Sequence, residues 1–204
     1  MMTSNVYLQE SSSGSYVLAK LYDEVSDKHL AMWNATWKPA LEIHCKGRAL
    51  VDSPEDYHWD WKWKANAWRP LLKYHFYSIM CRGELQGLML ANDTTTARLP
   101  EQAGKPLVYI EFVATAPWNR AEVQRPPRYR GVGSAFMAKA VQLSNEMGYS
   151  GRIGLHSLPE AERFYRDSCG MTAVQRDPGF LQQLMYFEMS EKQAETFCQK
   201  PRKS

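Results

Sequence analysis

The sequence has no Cys-x-x-Cys pair, no His-x-x-x-His pair and no apolar run approaching the ~20 residues that a membrane span needs. Its four cysteines, Cys45, Cys81, Cys169 and Cys198, lie far apart, which argues against a disulfide scaffold or a structural zinc site. The five histidines (His29, His44, His58, His75, His156) are just as scattered, so no metal is expected. Net charge is small too. The 25 Lys and Arg against 22 Asp and Glu leave a net +3, far short of a nucleic-acid footprint. Met1-Met2-Thr3-Ser4-Asn5 offers neither the basic start nor the apolar stretch of a secretion signal. These absences leave the expectation of a cytoplasmic protein with reduced thiols and no membrane contact. What is present is core material: 204 residues, 44% hydrophobic and 12% aromatic, with seven Trp. That is enough for one well-filled domain.

Residues 1–14 are polar, end in Ser11-Ser12-Ser13-Gly14, and read as a flexible leader. The main domain is expected over 15–190, followed by a C-terminal helix and basic tail over 191–204. Tyr16 to Leu21 reads as a strand. Ser26 is placed to cap a helix whose apolar positions Leu30, Trp33, Ala35, Trp37 and Leu41 recur at helical spacing, with Gly47 as its stop. Ser53-Pro54-Glu55-Asp56 carries the start signals of a second helix, running through Trp59, Trp61, Trp63 and Trp68 to near Arg69-Pro70. Trp59 to Lys64 also alternates with period two, as a strand would, and the start signal decides for the helix. A hairpin follows, His75–Cys81 and Leu85–Leu90 about Arg82-Gly83-Glu84, then a turn-rich loop at Asn92–Thr96. Further on the pattern gives a strand at 107–115, a helix at 133–147, a strand at 152–155, a helix at 159–166, and strands near 171–174 and 184–189. Strands and helices alternate, with hairpins in places, so the class is α/β with a mixed sheet.

The most informative stretch is Arg128-Tyr129-Arg130-Gly131-Val132-Gly133-Ser134-Ala135, between a strand and a helix. Two glycines let the backbone turn tightly against a ligand. The helix that follows points unpaired N–H groups and the positive end of its dipole at that turn, which suits a pyrophosphate. Four Arg against one Glu between 120 and 130 add a local +3, equal to the excess of the whole chain. The stretch lacks the full Gly-x-Gly-x-x-Gly of a dinucleotide fold and the Gly-Lys-Ser/Thr of a P-loop.

With the strand Ile110-Glu111-Phe112-Val113-Ala114-Thr115 before it, this turn resembles the acetyl-CoA site of the GNAT acyltransferase superfamily. Ala161-Glu162-Arg163-Phe164-Tyr165-Arg166-Asp167-Ser168-Cys169-Gly170-Met171 resembles that superfamily's Ala-x-x-Phe-Tyr segment, offset by one residue before the Gly. The order of elements over roughly residues 16–190 fits as well. The resemblance implies a single GNAT-like α/β domain whose mixed central sheet is splayed at the cofactor strand and flanked by helices. It implies N-acetyl transfer from acetyl-CoA, as cosubstrate, to a primary amine by direct attack. The backbones of Val113 and Thr115 would bind the pantetheine arm. Arg128, Arg130 and the amides through Gly131, Val132, Gly133 and Ser134 would hold the phosphates. Glu111 is the candidate base and Tyr165 the candidate acid toward the thiolate, without a metal. One departure is Leu158, where many members have Asn, with Ser157 beside it.

The tryptophans between 59 and 68 suit either a buried core or an aromatic wall for an amine, with core or mixed use favoured. His58 among them is expected to be structural. The acceptor stays open between a small molecule, a protein amine and an aminoacyl-RNA; nucleic acid enters only in that last form, and a homodimer stays open too. A rival reading is a GNAT-like CoA-binding or interaction protein without turnover.

Overall fold

The computed structural model describes residues 2–47, 53–179 and 183–199. Strands β1 (Thr3–Glu10) and β2 (Tyr16–Tyr22) lead to helix α1 (Asp27–Met32), a π-turn (Trp33–Trp37) and helix α2 (Lys38–Cys45). Helix α3 (Trp61–Trp68) and strands β3 (Tyr74–Cys81), β4 (Glu84–Thr96) and β5 (Pro106–Thr115) follow. After them come β6 (Tyr129–Arg130), α4 (Val132–Glu146), β7 (Ile153–Ser157), β8 (Thr172–Arg176), β9 (Met185–Met189) and α5 (Glu191–Gln199). The class is α/β with a mixed sheet. Contacts gather into two compact units, Met1–Met89 with Val113–Gly133, and Leu90–Phe112 with Ser134–Ser204.

The first unit carries strands in the order β6-β1-β2-β3-β4. Residues 3–10, expected in a flexible leader, are instead a strand paired with β2 from Thr3↔Tyr22 to Gln9↔Tyr16. The Ser-rich stretch is its hairpin turn, closed by Gly14 N–H to Glu10 C=O at 2.8 Å, with Gly14 at φ +69°. Leu8, Ala19 and Leu21 are buried while Tyr7 and Leu18, paired across the strands, face out. That is the period-two alternation of a half-buried sheet.

Ser26 caps α1 through a capping box with His29, as its position predicts. The helix then widens. Lys38 donates to the carbonyl of Trp33, a five-residue step. Pro39 supplies the cause, because its ring would crowd the carbonyl four residues back, at Ala35, in a regular helix. Gly47, at φ +77°, follows the end of α2. The second helix begins at Trp61 and not at Ser53. Asp60 caps it by accepting the Trp63 N–H at 2.9 Å, and 54–59 forms successive turns.

The second unit carries the order β4-β5-β7-β9-β8. β5 and β7 run parallel, and β9 is antiparallel to both β7 and β8. The predicted loop at Asn92–Thr96 extends β4 instead. β-branched threonines favour that extended backbone. Glu188 is fully buried and accepts from the Arg98 and Leu99 amides, from Gln102 and from the Tyr186 hydroxyl at 2.6–3.0 Å. A buried carboxylate is tolerable only with such a set of donors. Residues 159–166, expected as a regular helix, are a short 3-10 turn (Pro159–Ala161) leading into a π-turn at Phe164–Ser168. α5 falls where the C-terminal helix was expected; the basic tail from Lys200 lies outside the described residues. Among the described residues no helix is long and apolar enough to cross a membrane.

Candidate functional site

The β5–β7 pairing covers only Val108↔Ile153 to Ile110↔Leu155. Beyond that point β7 continues beside β9 through Ser157, while β5 runs on to Thr115. The two parallel strands therefore part company immediately before Glu111.

Glu111, in the second unit, is half-buried and accepts the Asn92 amide N–H at 2.5 Å. Asn92 has no freedom to turn round. Its Oδ1 takes the Thr94 N–H at 3.1 Å and the Thr95 hydroxyl at 3.0 Å, so Nδ2 is the atom that faces the carboxylate. Tyr109, two residues back along β5, donates to or accepts from His156 Nδ1 at 2.6 Å, and His156 Nε2 stands 3.3 Å from Asp177. Burial, and then the nearby Glu111 charge, push the Tyr109 hydroxyl pKa well above its ordinary value. Burial lowers that of His156, and the Arg98 cation lowers it further.

Tyr165, also in the second unit, sits in the π-turn Phe164–Ser168 and is buried. Its ring packs against Phe187 at 5.8 Å and Phe164 at 5.2 Å. Burial holds its pKa far above the usual phenol value, so the proton stays on the oxygen through the neutral range. The phenol is thus a firm hydrogen-bond donor and a reluctant acid. Ser157, beside the departure at Leu158, is buried and spends its hydroxyl on the Leu158 carbonyl at 2.8 Å.

In the first unit, Tyr129 and Arg130 pair with Glu10 and Gln9 of β1, and Gly131 follows at φ +97°. Only glycine adopts that backbone without strain. α4 begins at once with Val132, Gly133 and Ser134, whose first-turn amides have no acceptor within the helix. Arg130 is exposed. Arg128 pairs with Glu84 at 2.5 Å, and Arg125 Nε donates to Ala121 C=O at 2.8 Å.

Arg120, counted above in the local charge, is committed elsewhere. It is buried, and its two terminal nitrogens meet both oxygens of Asp56 at 2.6 Å. Its Nε donates to the Thr115 carbonyl at 2.9 Å, tying the end of β5 to the turn at Asp56. No sequence signal links these residues, which lie 64 positions apart. The local charge at 120–130 is therefore smaller than the sequence implies, since Asp56 cancels Arg120.

Asp56 and Arg120 also border a cavity of about 180 Å³ within the first unit. Trp33, Trp37 and Leu41 form one wall, from the π-turn and α2. Tyr57, Trp59 and Trp61 form another, and Ala114 of β5 lines it too. Trp37 and Trp61 are fully buried, whereas Trp63, exposed to 61%, takes no part in the lining. The tryptophan cluster thus serves both as core and as cavity wall. His58 is exposed and does not line it. Among the described residues no group of three or more His, Cys, Asp or Glu is placed to hold a metal ion.

No family model matches the sequence, and no curated protein matches it. Solved structures do match the fold. A candidate GNAT-family acetyltransferase from Desulfovibrio desulfuricans shares 12% identity at a TM-score of 0.55, over 85% of this chain and 99% of that one. The PaiA N-acetyltransferase from Thermoplasma acidophilum, in complex with coenzyme A, shares 10% at 0.52, over 83% and 97%. The aminoglycoside N-acetyltransferase AAC(6')-Iy, in complex with CoA, shares 16% at 0.51, over 78% and 91%.

Proposed function

The chain has the GNAT fold, and we propose from it that the protein is an N-acetyltransferase that uses acetyl-CoA and a primary amine. The observation that carries this reading is the parting of β5 from β7 before Glu111. A strand that leaves its neighbour mid-sheet opens room for an extended ligand beside its backbone. The amides of Val113 and Thr115 are then the groups that hold the pantetheine arm and polarise the thioester carbonyl. Amides from Gly131 through Ser134, with Arg128 and Arg130, hold the phosphates at the start of α4. The CoA complexes among the fold's likenesses support this choice of cosubstrate.

In the transfer, the neutral amine nitrogen attacks the thioester carbon and a C–N bond forms. The C–S bond breaks, and the thiolate leaves with the electron pair. The amine's surplus proton passes to Glu111, directly or through water, and the Asn92 amide keeps that carboxylate in place. Tyr165 hydrogen-bonds the departing sulfur; with its raised pKa it stabilises the thiolate more readily than it protonates it.

Incubation with acetyl-CoA and a panel of amines, with free thiol as the readout, tests the reading. Glu111→Gln is expected to lower turnover by roughly 10²–10⁴-fold with CoA affinity nearly unchanged. Unchanged turnover at every pH would remove Glu111 from the base role. Leu158, in place of the cofactor-binding Asn of many GNAT members, with Ser157 spent elsewhere, keeps a second reading in play: a CoA-binding protein without turnover. Tight CoA binding with no thiol release from any amine would favour it.

A further inference from the structure

Two cations, Lys38 and Arg120, and two carboxylates, Glu42 and Asp56, line the cavity of the first unit. Asp56 and Arg120 cancel each other as a bidentate pair. Lys38 sits 3.7 Å from Asp60 and places its ammonium 4.7 Å from the centre of the Trp33 ring. Glu42, one helical turn further along α2, also lines the cavity; it is exposed, and no cation among the described residues pairs with it. One uncompensated carboxylate thus stands beside a box of indole rings. Ring faces attract cations, and Lys38 over Trp33 shows an ammonium already held that way in this molecule. The size matters as well. At about 180 Å³ the cavity is below the range that encloses a drug-sized ligand. It suits a compact apolar body bearing one positive group.

We propose that this cavity is the acceptor site, and that it takes a small cationic amine with an aryl or alkyl body. The indoles hold the body, and Glu42 together with the ring faces selects the positive charge; the bound ammonium gives one proton to bulk water before its neutral nitrogen attacks. Such a site disfavours an aminoacyl-RNA, whose phosphates would meet Glu42. Ala114 brings β5 into the lining, three residues along the strand from Glu111. This inference rests on the transferase reading.

The test measures binding without acetyl-CoA, by tryptophan fluorescence. The probes are 2-phenylethylamine, its trimethylammonium analogue, which has no N–H to lose, and the neutral 2-phenylethanol. Both cations are expected to bind more tightly than the alcohol. Glu42→Gln, an exposed substitution that leaves the core alone, is expected to weaken both cations by about two- to fivefold, the scale of an exposed ion pair. It leaves the alcohol unchanged. Equal affinity for amine and alcohol, or cation affinity indifferent to Glu42→Gln, would overturn the proposal. Thiol release separates the two ideas. Cation-selective binding without release removes the transferase reading and leaves a cation pocket. Release with amines whose KM ignores Glu42→Gln keeps transfer and removes the pocket.

Discussion

The Asp56–Arg120 pair offers the sharpest test of how the first unit is held together. Both side chains are about 8% exposed, and the two contacts are 2.6 Å long. Arg120→Met leaves the Asp56 carboxylate buried without its partner and strips the Thr115 carbonyl of its side-chain donor. Removing one member of a buried pair costs about 3–5 kcal/mol, most of it the penalty on the charge left behind. At a urea slope of about 2 kcal/mol/M, the lower end of that range moves the unfolding midpoint down by about 1.5 M. Asp56→Leu should behave alike, because it strands the guanidinium. The double variant carries no buried charge and is expected to recover to within about 1 kcal/mol of the parent, or to exceed it. Urea titrations of all four proteins give the coupling energy directly. If either single variant loses less than about 1 kcal/mol, the range of exposed pairs, or if the two losses simply add in the double variant, the account of this contact is wrong.

Two other expectations concern separate parts of the chain. Gly131→Ala makes only ordinary contacts, with the Tyr7 carbonyl at 3.8 Å and Leu8 Cδ2 at 4.0 Å, so its cost of about 1–2 kcal/mol is backbone strain; a lowered melting temperature with weakened CoA binding is expected, and an unchanged protein would refute the turn's geometry. Burial lowers the pKa of His29 and His156, so the unfolded chain binds more protons just below the ordinary value of 6.5. Their contribution to stability is complete above that value and is lost as pH falls through the lowered ones. Unfolding midpoints between about pH 7.5 and about pH 5.5 should therefore decline. His156→Gln should flatten part of the decline, and an unchanged slope would exclude this residue as a cause.

Local chemistry made most elements readable from sequence. Ser26 and His29 form a capping box within four residues, and Gly47 ends a helix by its own conformation. What stayed hidden depends on partners distant in the chain. β1 is mostly polar, and its pairing with β2 and β6 makes it a strand. Asp56 looks like a first-turn helix acid until Arg120 claims it, and Asp60 then becomes the cap. Asn92 reads as a turn former and does make those local bonds, yet its spare N–H reaches Glu111 across 19 positions. The glycine turn and the strand before it pointed to the fold that the solved structures share. The aromatic cavity was half visible: its indoles could be counted, but not which rings enclose space. Glu42 gave no signal at all, being one ordinary acidic residue on a helix face.

The π-turn at Trp33–Trp37 amounts to one residue inserted into an otherwise regular helix. Each residue turns an α-helix by about 100°. The wide turn absorbs that residue, because five residues there cover the arc that four cover in a regular helix. If the turn regularised at constant length, as loss of the Pro39 ring would permit, everything after it would swing by that angle. Lys38, Leu41 and Glu42 would then leave the cavity wall with their identities untouched. The lining of this site is therefore written in the phase of a helix as much as in its side chains.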